Sequence, residues 1–408
     1  MSTKPAIAVI GTCDTKLEAL TYIKDTIISS GRCNAILVDI GSYDPPDSQT
    51  IDISRSTVLN ALGDKAVDTT SRNSTLDAMT QALTLTLSRL RSDNYIAGVI
   101  AAGGSGNTSV CTKAFREALP IGFPKLMVST MASGNTSHYV GETDLTMMYS
   151  VADVAGMNNL LRTILGNAAD AIEGMAVRSS ERAIPSSTRP AIAVTMFGLT
   201  TPCVQIAIEK LEELGYSTVV FHATGAGGLA MERLIREGHF VGVLDLTTTE
   251  LADELVGGVL TAGPNRLEAA GEMSIPQVIS VGAMDMVNFG PPSTIPEKFN
   301  DRLFNNHNFS VTLMRTSKEE CSKLGEILIK KLSKASPTKT RIILPRGGFS
   351  GIDKEGGPFY DMEADQALFD VLQESTLQCH IQYVDSNIND PCFAHAAASA
   401  LVEMLRDG

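Results

Sequence analysis

Three short stretches carry the residue types that hold phosphate. "GTCDTK" (11–16) sets the hydroxyls of Thr12 and Thr15 and the ammonium of Lys16 behind Gly11, with Asp14 able to position a metal or a ribose hydroxyl. It lies between a strand-like run and a helix-like run. A helix start offers free N–H groups and partial positive charge, and both favour an anion. "GGSGNTS" (103–109) brings adjacent glycines, Gly103 and Gly104, which let the backbone approach a ligand closely. Ser105, Gly106, Asn107 and Thr108 follow, able to cap a helix or to donate to phosphate oxygens. The loop is neither G-x-x-x-x-G-K-[ST] nor a clean G-x-G-x-x-G. "ASGNTSHYVGETD" (132–144) repeats the pentapeptide SGNTS. Its Ser133, Gly134 and Asn135 are expected to meet the sugar, the base or a second subunit. Asp39, closing "LVD" (37–39), completes the cofactor-binding set.

A second group, later in the chain, has the types used in acid–base work. His222 lies in "FHATGAGG" (221–228), whose glycines could form an anion nest. Glu250 follows Thr247 at capping-box spacing. Asp285 and Asn288 lie in "GAMDMVNFGPP" (282–292), and Arg346, Ser350 and Asp353 in "PRGGFSGID" (345–353). Together these would suit a small carboxylate or phosphate substrate. The alternative is that the acids cap helices, because no pair has diagnostic spacing. Cys203 in "TTPCVQ" opens a helix, where it is read as a buried structural thiol.

The elements that must position these groups alternate along the chain. "AIAVIG" (6–11), "AILVDIG" (35–41), "AGVIAA" (97–102), "KLMVST" (125–130) and "TMMYSV" (146–151) read as strands. Helices are expected over 16–30, 73–91, 108–118 and about 154–173, the first with a Thr15–Glu18 capping box and Gly31 as its C′ residue. "PAIAVTMFG" (190–198) resembles the opening "PAIAVIGT" (5–12) and starts a second series of strands and helices, ending in a helix over 391–406. Repeated β–α units with continuous apolar strands imply parallel sheets covered on both faces. The fold class is therefore α/β, two doubly wound parallel-sheet (Rossmann-like) domains, over 1–178 and 190–408, with a linker over 179–189. Such folds bind ligands beyond the carboxyl ends of their strands, where all the loops above lie.

Composition narrows the function classes. A length of 408 residues suits two or three domains, and a net charge of −13 argues against nucleic acid as the partner. Seven widely spaced cysteines without C-x-x-C argue against a disulfide framework or a zinc site. No run has the length of a transmembrane helix, and the opening apolar stretch is too short for a signal peptide. A cytoplasmic protein without membrane contact is expected.

At "GTCDTK", "GGSGNTS", "KLMVSTMASGNTSHYVG", "FHATGAGGLAME", "GVLDLTTTELADELVGG", "LPRGGFSGID" and "NINDPCFA" the chain resembles the ATP-binding domain family of the tomato mosaic virus resistance protein, found in bacteria, fungi and plants. The resemblance covers essentially the whole chain. It implies ATP and Mg2+ in the amino-terminal domain, with the phosphate role carried by Thr12, Asp14, Lys16 and Gly103–Thr108, and it implies a homodimer. Leu17 and Asn107 stand where the family pattern has Gly, Val281 where it has Pro, and Asn387 where it has His. The expected function is an ATP/Mg-binding protein with no reaction assigned. The alternatives are an enzyme acting on a small phosphorylated or carboxylated metabolite through His222, Glu250, Asp285, Asn288 and Arg346, or a nucleotide-stabilised module that grips a protein partner.

Overall fold

A computed structural model describes residues 4–43, 45, 47–63, 71–182 and 189–407. The chain divides into two compact units, residues 1–185 and 186–408.

The first unit holds five parallel strands. They are β1 (Ala6–Gly11), β2 (Asn34–Asp39), β3 (Gly98–Gly103), β4 (Lys125–Ser129) and the edge strand β5 (Thr146–Tyr149), in the order β2-β1-β3-β4-β5. Helices α1 (Cys13–Ser29), α2 (Arg55–Asn60), α3 (Arg72–Ser92), α4 (Ser105–Ala118), α5 (Ser137–Val140) and α6 (Asn159–Glu181) connect and cover them. Alternation along β1 sends Ile7 and Val9 into a core with Leu20 and Ile23 of α1 and Ile172 of α6. Ala8 and Ile10 enter a second core with Leu83 of α3 and Phe115 of α4. The chain therefore leaves β1 toward one face and β3 toward the other. A crevice opens between their carboxyl ends, the switch point of this strand order.

The second unit repeats that plan. Its strands are β6 (Ala191–Met196), β7 (Ser217–His222), β8 (Gly242–Thr247) and β9 (Gln277–Gly282), then β10 (Met286–Phe289), β11 (Phe304–Asn308), β12 (Val311–Arg315), β13 (Thr340–Pro345) and β14 (His380–Val384). Six form a parallel sheet in the order β14-β13-β9-β8-β6-β7, so the switch point lies between β6 and β8. β10, β12 and β11 form a small antiparallel sheet, which the sequence reading did not anticipate. The helices are α7 (Thr201–Glu213), α8 (Ala226–Arg236), α9 (Glu250–Val256), α10 (Ala269–Glu272), α11 (Lys318–Leu332), α12 (Met362–Gln373) and α13 (Pro391–Asp407). α7 and α13 pack on one face of the sheet; α9, α11 and α12 pack on the other.

Several local expectations are corrected. α1 begins at Cys13, not Lys16, and Thr15 turns its hydroxyl to Thr12 at 3.1 Å instead of forming a capping box with Glu18. Gly31 does sit past the end of α1 at φ +72°. α4 starts at Ser105, three residues earlier than expected, so Ser105, Gly106 and Asn107 are its first turn. α6 runs to Glu181, into the expected linker, and residues 183–188 lie outside the described residues. Among the described residues no helix is long and apolar enough to cross a membrane, and all seven cysteines are free.

Candidate functional site

In the first unit the loops after β1 and β3 border a cleft of about 830 Å³. Thr12 and Lys16 line it from the first loop, and Gly104, Ser105, Gly106 and Asn107 from the second. α4 presents its first N–H groups without a side-chain cap. A helix start leaves such donors unpaired unless a ligand, water or side chain takes them. Gly104 is extended, at φ −86° and ψ −166°, a conformation open to any residue. A Cβ there would meet only Thr130 Oγ1, at 3.9 Å. The described residues therefore leave this space empty in front of α4. Gly103 differs, because a Cβ on it would come within 2.8 Å of the Asn107 side chain.

The other predicted residues of this site mostly build its frame. Asp39 is 1% exposed, and its Oδ1 accepts from Cys13 N at 3.0 Å and Gly41 N at 2.8 Å. Asp14 Oδ2 accepts from Ser42 N and Tyr43 N at 2.8 and 3.1 Å. Both carboxylates thus fix the loop after β2 to the start of α1. Asn107 turns inward and donates from Nδ2 to Ala102 O at 2.9 Å. Thr108 is fully buried, its hydroxyl 2.7 Å from Ser129 Oγ. A Cβ on Gly11 would press on Leu20 at 2.8 Å. The Lys16 ammonium donates to Val154 O.

The second SGNTS copy is a different object. Asn135 Oδ1 accepts from Ser137 N at 3.0 Å and from Ser137 Oγ at 2.7 Å, closing a turn on itself. A one-turn helix follows where none was expected, and Ser133, Gly134 and Asn135 do not line the cleft.

Sequence reasoning missed two arginines. Arg55 and Arg72 line the cleft from the starts of α2 and α3. The signal was available: both follow a serine at a helix start, on the segment leaving the carboxyl end of β2. Tyr43 and Asp153 also border the cleft.

In the second unit the equivalent crevice is filled. Arg266 is fully buried and binds Asp245 through two bonds, of 2.6 and 2.7 Å. Its Nε donates to Glu250 at 2.6 Å, and Glu232 lies 3.4 Å from Nη1. Thr195 Oγ1 adds a bond to Asp245 at 2.8 Å. Glu250 Oε1 accepts from Gly225 N at 2.7 Å and Gly228 N at 3.1 Å. The anion nest expected at 221–228 is therefore occupied by the protein's own carboxylate. The Thr247–Glu250 capping box does not form, since Thr249 holds the N-cap position of α9. Burial pushes the Glu250 carboxyl up, opposed by Arg266.

Asp285 and Asn288 are also fully buried, in separate networks. Asp285 accepts from Ser350 Oγ at 2.8 Å. Burial and then the charge of Asp353 push it up, against Arg315. Arg315 also binds Asp365 at 2.6 Å. Asn288 donates from its backbone N and from Nδ2 to Asp253, at 3.0 and 2.7 Å. His222 and Arg346 are exposed, Arg346 pairing with Asp385 at 3.2 Å. The five expected catalytic residues thus split into three sealed in the interior and two at the surface. Cys203 is buried, its thiol pushed up to about 12 by that burial. Asn387 Nδ2 holds the 347–353 loop through the carbonyls of Ser350 and Asp353, both at 3.0 Å.

Patterns for two domain families match nearly all of both units. The Uncharacterised protein family (UPF0261) N-terminal domain matches residues 5–181 and its C-terminal domain residues 189–405. The chain belongs to the UPF0261 family. A UPF0261 protein of Clostridium tetani is 46% identical over 98% of each chain. The ToMV resistance protein Tm-1 of Solanum lycopersicum is 40% identical over 99% of this chain and 56% of its own length. Against solved structures, a UDP-GlcNAc 2-epimerase from Neisseria meningitidis matches with 11% identity over 67% of this chain and 82% of that one. Its TM-score of 0.24 carries no argument about the site.

Proposed function

We propose that the amino-terminal domain binds ATP with Mg2+ in the cleft between β1 and β3. The phosphates would sit on the first turn of α4, with Lys16, Arg55 and Arg72 around them. Tyr43 offers an aromatic face to the base at the mouth. Gly104 carries the reading. It is neither strained nor crowded, so its lack of a side chain serves only the space before the open helix start. Among the described residues no group of three metal-ligating side chains exists. The cation therefore suits one carried by the phosphates, with Asp153 the carboxylate at hand.

The test is a capping substitution. Gly104→Asp gives α4 the carboxylate cap that Glu250 gives α8, and sets a negative charge where phosphate would lie. Calorimetry should show Mg-ATP affinity falling by at least about tenfold, while the ligand-free melting temperature holds or rises. Lys16→Ala should also weaken binding. Unchanged ATP affinity in both variants would remove the cleft as the site.

A further inference from the structure

We infer that Arg55 and Arg72 form a two-guanidinium clamp that makes the cleft selective for polyphosphates over monophosphates; this rests on reading the cleft as a nucleotide site. Both arginines are the first residues of their helices, and both are held there by local caps. Ser54 Oγ accepts from Thr57 N at 3.3 Å beside Arg55, and Ser71 and Ser74 form a reciprocal capping box beside Arg72. Their backbones are thus set independently of any ligand.

Arg72 reaches the first turn of α4. Its Nη2 lies 3.7 Å from where a Cβ on Gly106 would stand. Arg55 Nε is buried and has no hydrogen-bond partner among the described residues. A buried donor left unmade costs free energy, so this N–H calls for an acceptor that none of the described residues supplies. Among the described residues neither guanidinium has a carboxylate partner. Lys16, Arg55 and Arg72 face one carboxylate, Asp153, among the described residues of the lining.

Donor count then decides the ligand class. Each guanidinium offers up to five N–H groups in a fork that matches phosphate oxygens in pairs. A terminal phosphate has only three free oxygens, so two forks that each take a pair must share at least one of them, and Lys16 already gives one N–H to Val154 O. A second phosphate gives each fork a pair of its own.

The experiment is calorimetric titration of the full chain with Mg-ATP, Mg-ADP, AMP and inorganic tripolyphosphate. It uses wild type, Arg55→Gln, Arg72→Gln and Arg72→Lys, with ligand-free melting curves as the folding control. Wild type should bind ATP about tenfold or more tighter than AMP. Each Gln variant should lose most of that ratio while AMP affinity changes less than about twofold. Arg72→Lys should recover only part of it, since an ammonium lacks the fork. Equal wild-type affinity for ATP and AMP overturns the clamp, as does an equal loss for both ligands in the Gln variants. Arginine-dependent binding of tripolyphosphate without binding of any nucleotide keeps the clamp and removes the nucleotide reading. No binding of any probe overturns both.

Discussion

The two domains wind their first five parallel strands in the same relative order, yet treat the crevice at the switch point in opposite ways. Between β1 and β3 the crevice is open, lined by cations, and faces a helix start without a side-chain cap. Between β6 and β8 it is occupied. The start of α8 is satisfied by Glu250, the start of α7 receives Asn389 Oδ1 at Cys203 N, and Arg266 sits among three carboxylates. A parallel sheet leaves unpaired helix N–H groups at its carboxyl edge wherever a helix follows a strand. Those donors either receive an acceptor from the chain or remain for a ligand. The same architecture thus gives an open, cation-lined cleft in one domain and an interior polar network in the other. The difference lies in a handful of side chains.

The sharpest way to break this contrast is to remove Arg266. Three carboxylates would remain in the interior without their shared cation, and a buried charge that loses its partner costs about 3–5 kcal/mol. Arg266→Met should lower stability to urea by about that amount, or leave the chain insoluble. Arg72→Gln, on the open side, should move stability by less than about 0.5 kcal/mol. A mild effect of Arg266→Met would mean that the filled crevice tolerates opening, and the contrast between the two crevices would not hold.

A smaller effect separates the interiors by pH. Asp253 is pushed up to about 7 by burial, despite its bonds from Asn288 and Leu260. Its folded-state value lies above the ordinary 3.8, so the folded chain holds the proton more tightly than the unfolded one. The stability this supplies is complete below about pH 4 and is lost as pH rises through about 7, with a slope of at most about 1.4 kcal/mol per pH unit. Glu250, Asp285, Asp353 and Asp365 are shifted in the same direction, so the useful quantity is a difference. Asp253→Asn should gain on wild type between pH 5 and pH 8 by on the order of 2 kcal/mol in urea unfolding. Asn288 Oδ1, which lacks a donor in the structure, can turn to accept from the new amide. A constant gap across that range would place the ionised carboxylate comfortably in the interior.

The strands were legible because apolar runs covered on two faces are unbroken in sequence, as "AIAVIG" and "GVIAAG" are, whereas their order in each sheet was not. Gly31 was legible for a similar reason, since only the end of a periodic run asks for a left-handed residue there. The start of α4 was not, because Ser105, Gly106 and Asn107 are poor helix formers whose helical state is set by their place after β3. Glu250 shows the limit most clearly. Its local spacing to Thr247 suggested a cap, but a guanidinium sixteen residues away and two backbone amides of α8 outweigh that local bond. Arg266 has no local signature, and the serines before Arg55 and Arg72 announce helix starts but not a cleft; the placement of all three comes from where crossover segments return to the sheet edge.

The repeated pentapeptide gives the finest test of the division between site and scaffold. Asn107 and Asn135 occupy the same place in SGNTS. Asn107 is 6% exposed and its amide bonds Ala102 O beneath β3, whereas Asn135 is exposed and bonds only within its own turn. Asn107→Ala should cost about 1–2 kcal/mol by leaving a buried carbonyl unsatisfied, and should weaken Mg-ATP by loosening the first turn of α4. Asn135→Ala should cost no more than about 0.5 kcal/mol and leave Mg-ATP affinity unchanged. Calorimetry and urea unfolding on the two variants distinguish the roles, because identical residues in identical contexts remove composition as an explanation. If Asn135→Ala lowers ATP affinity while its stability holds, the second copy borders the ligand after all, and the cleft extends from the β1–β3 crevice toward the end of β4.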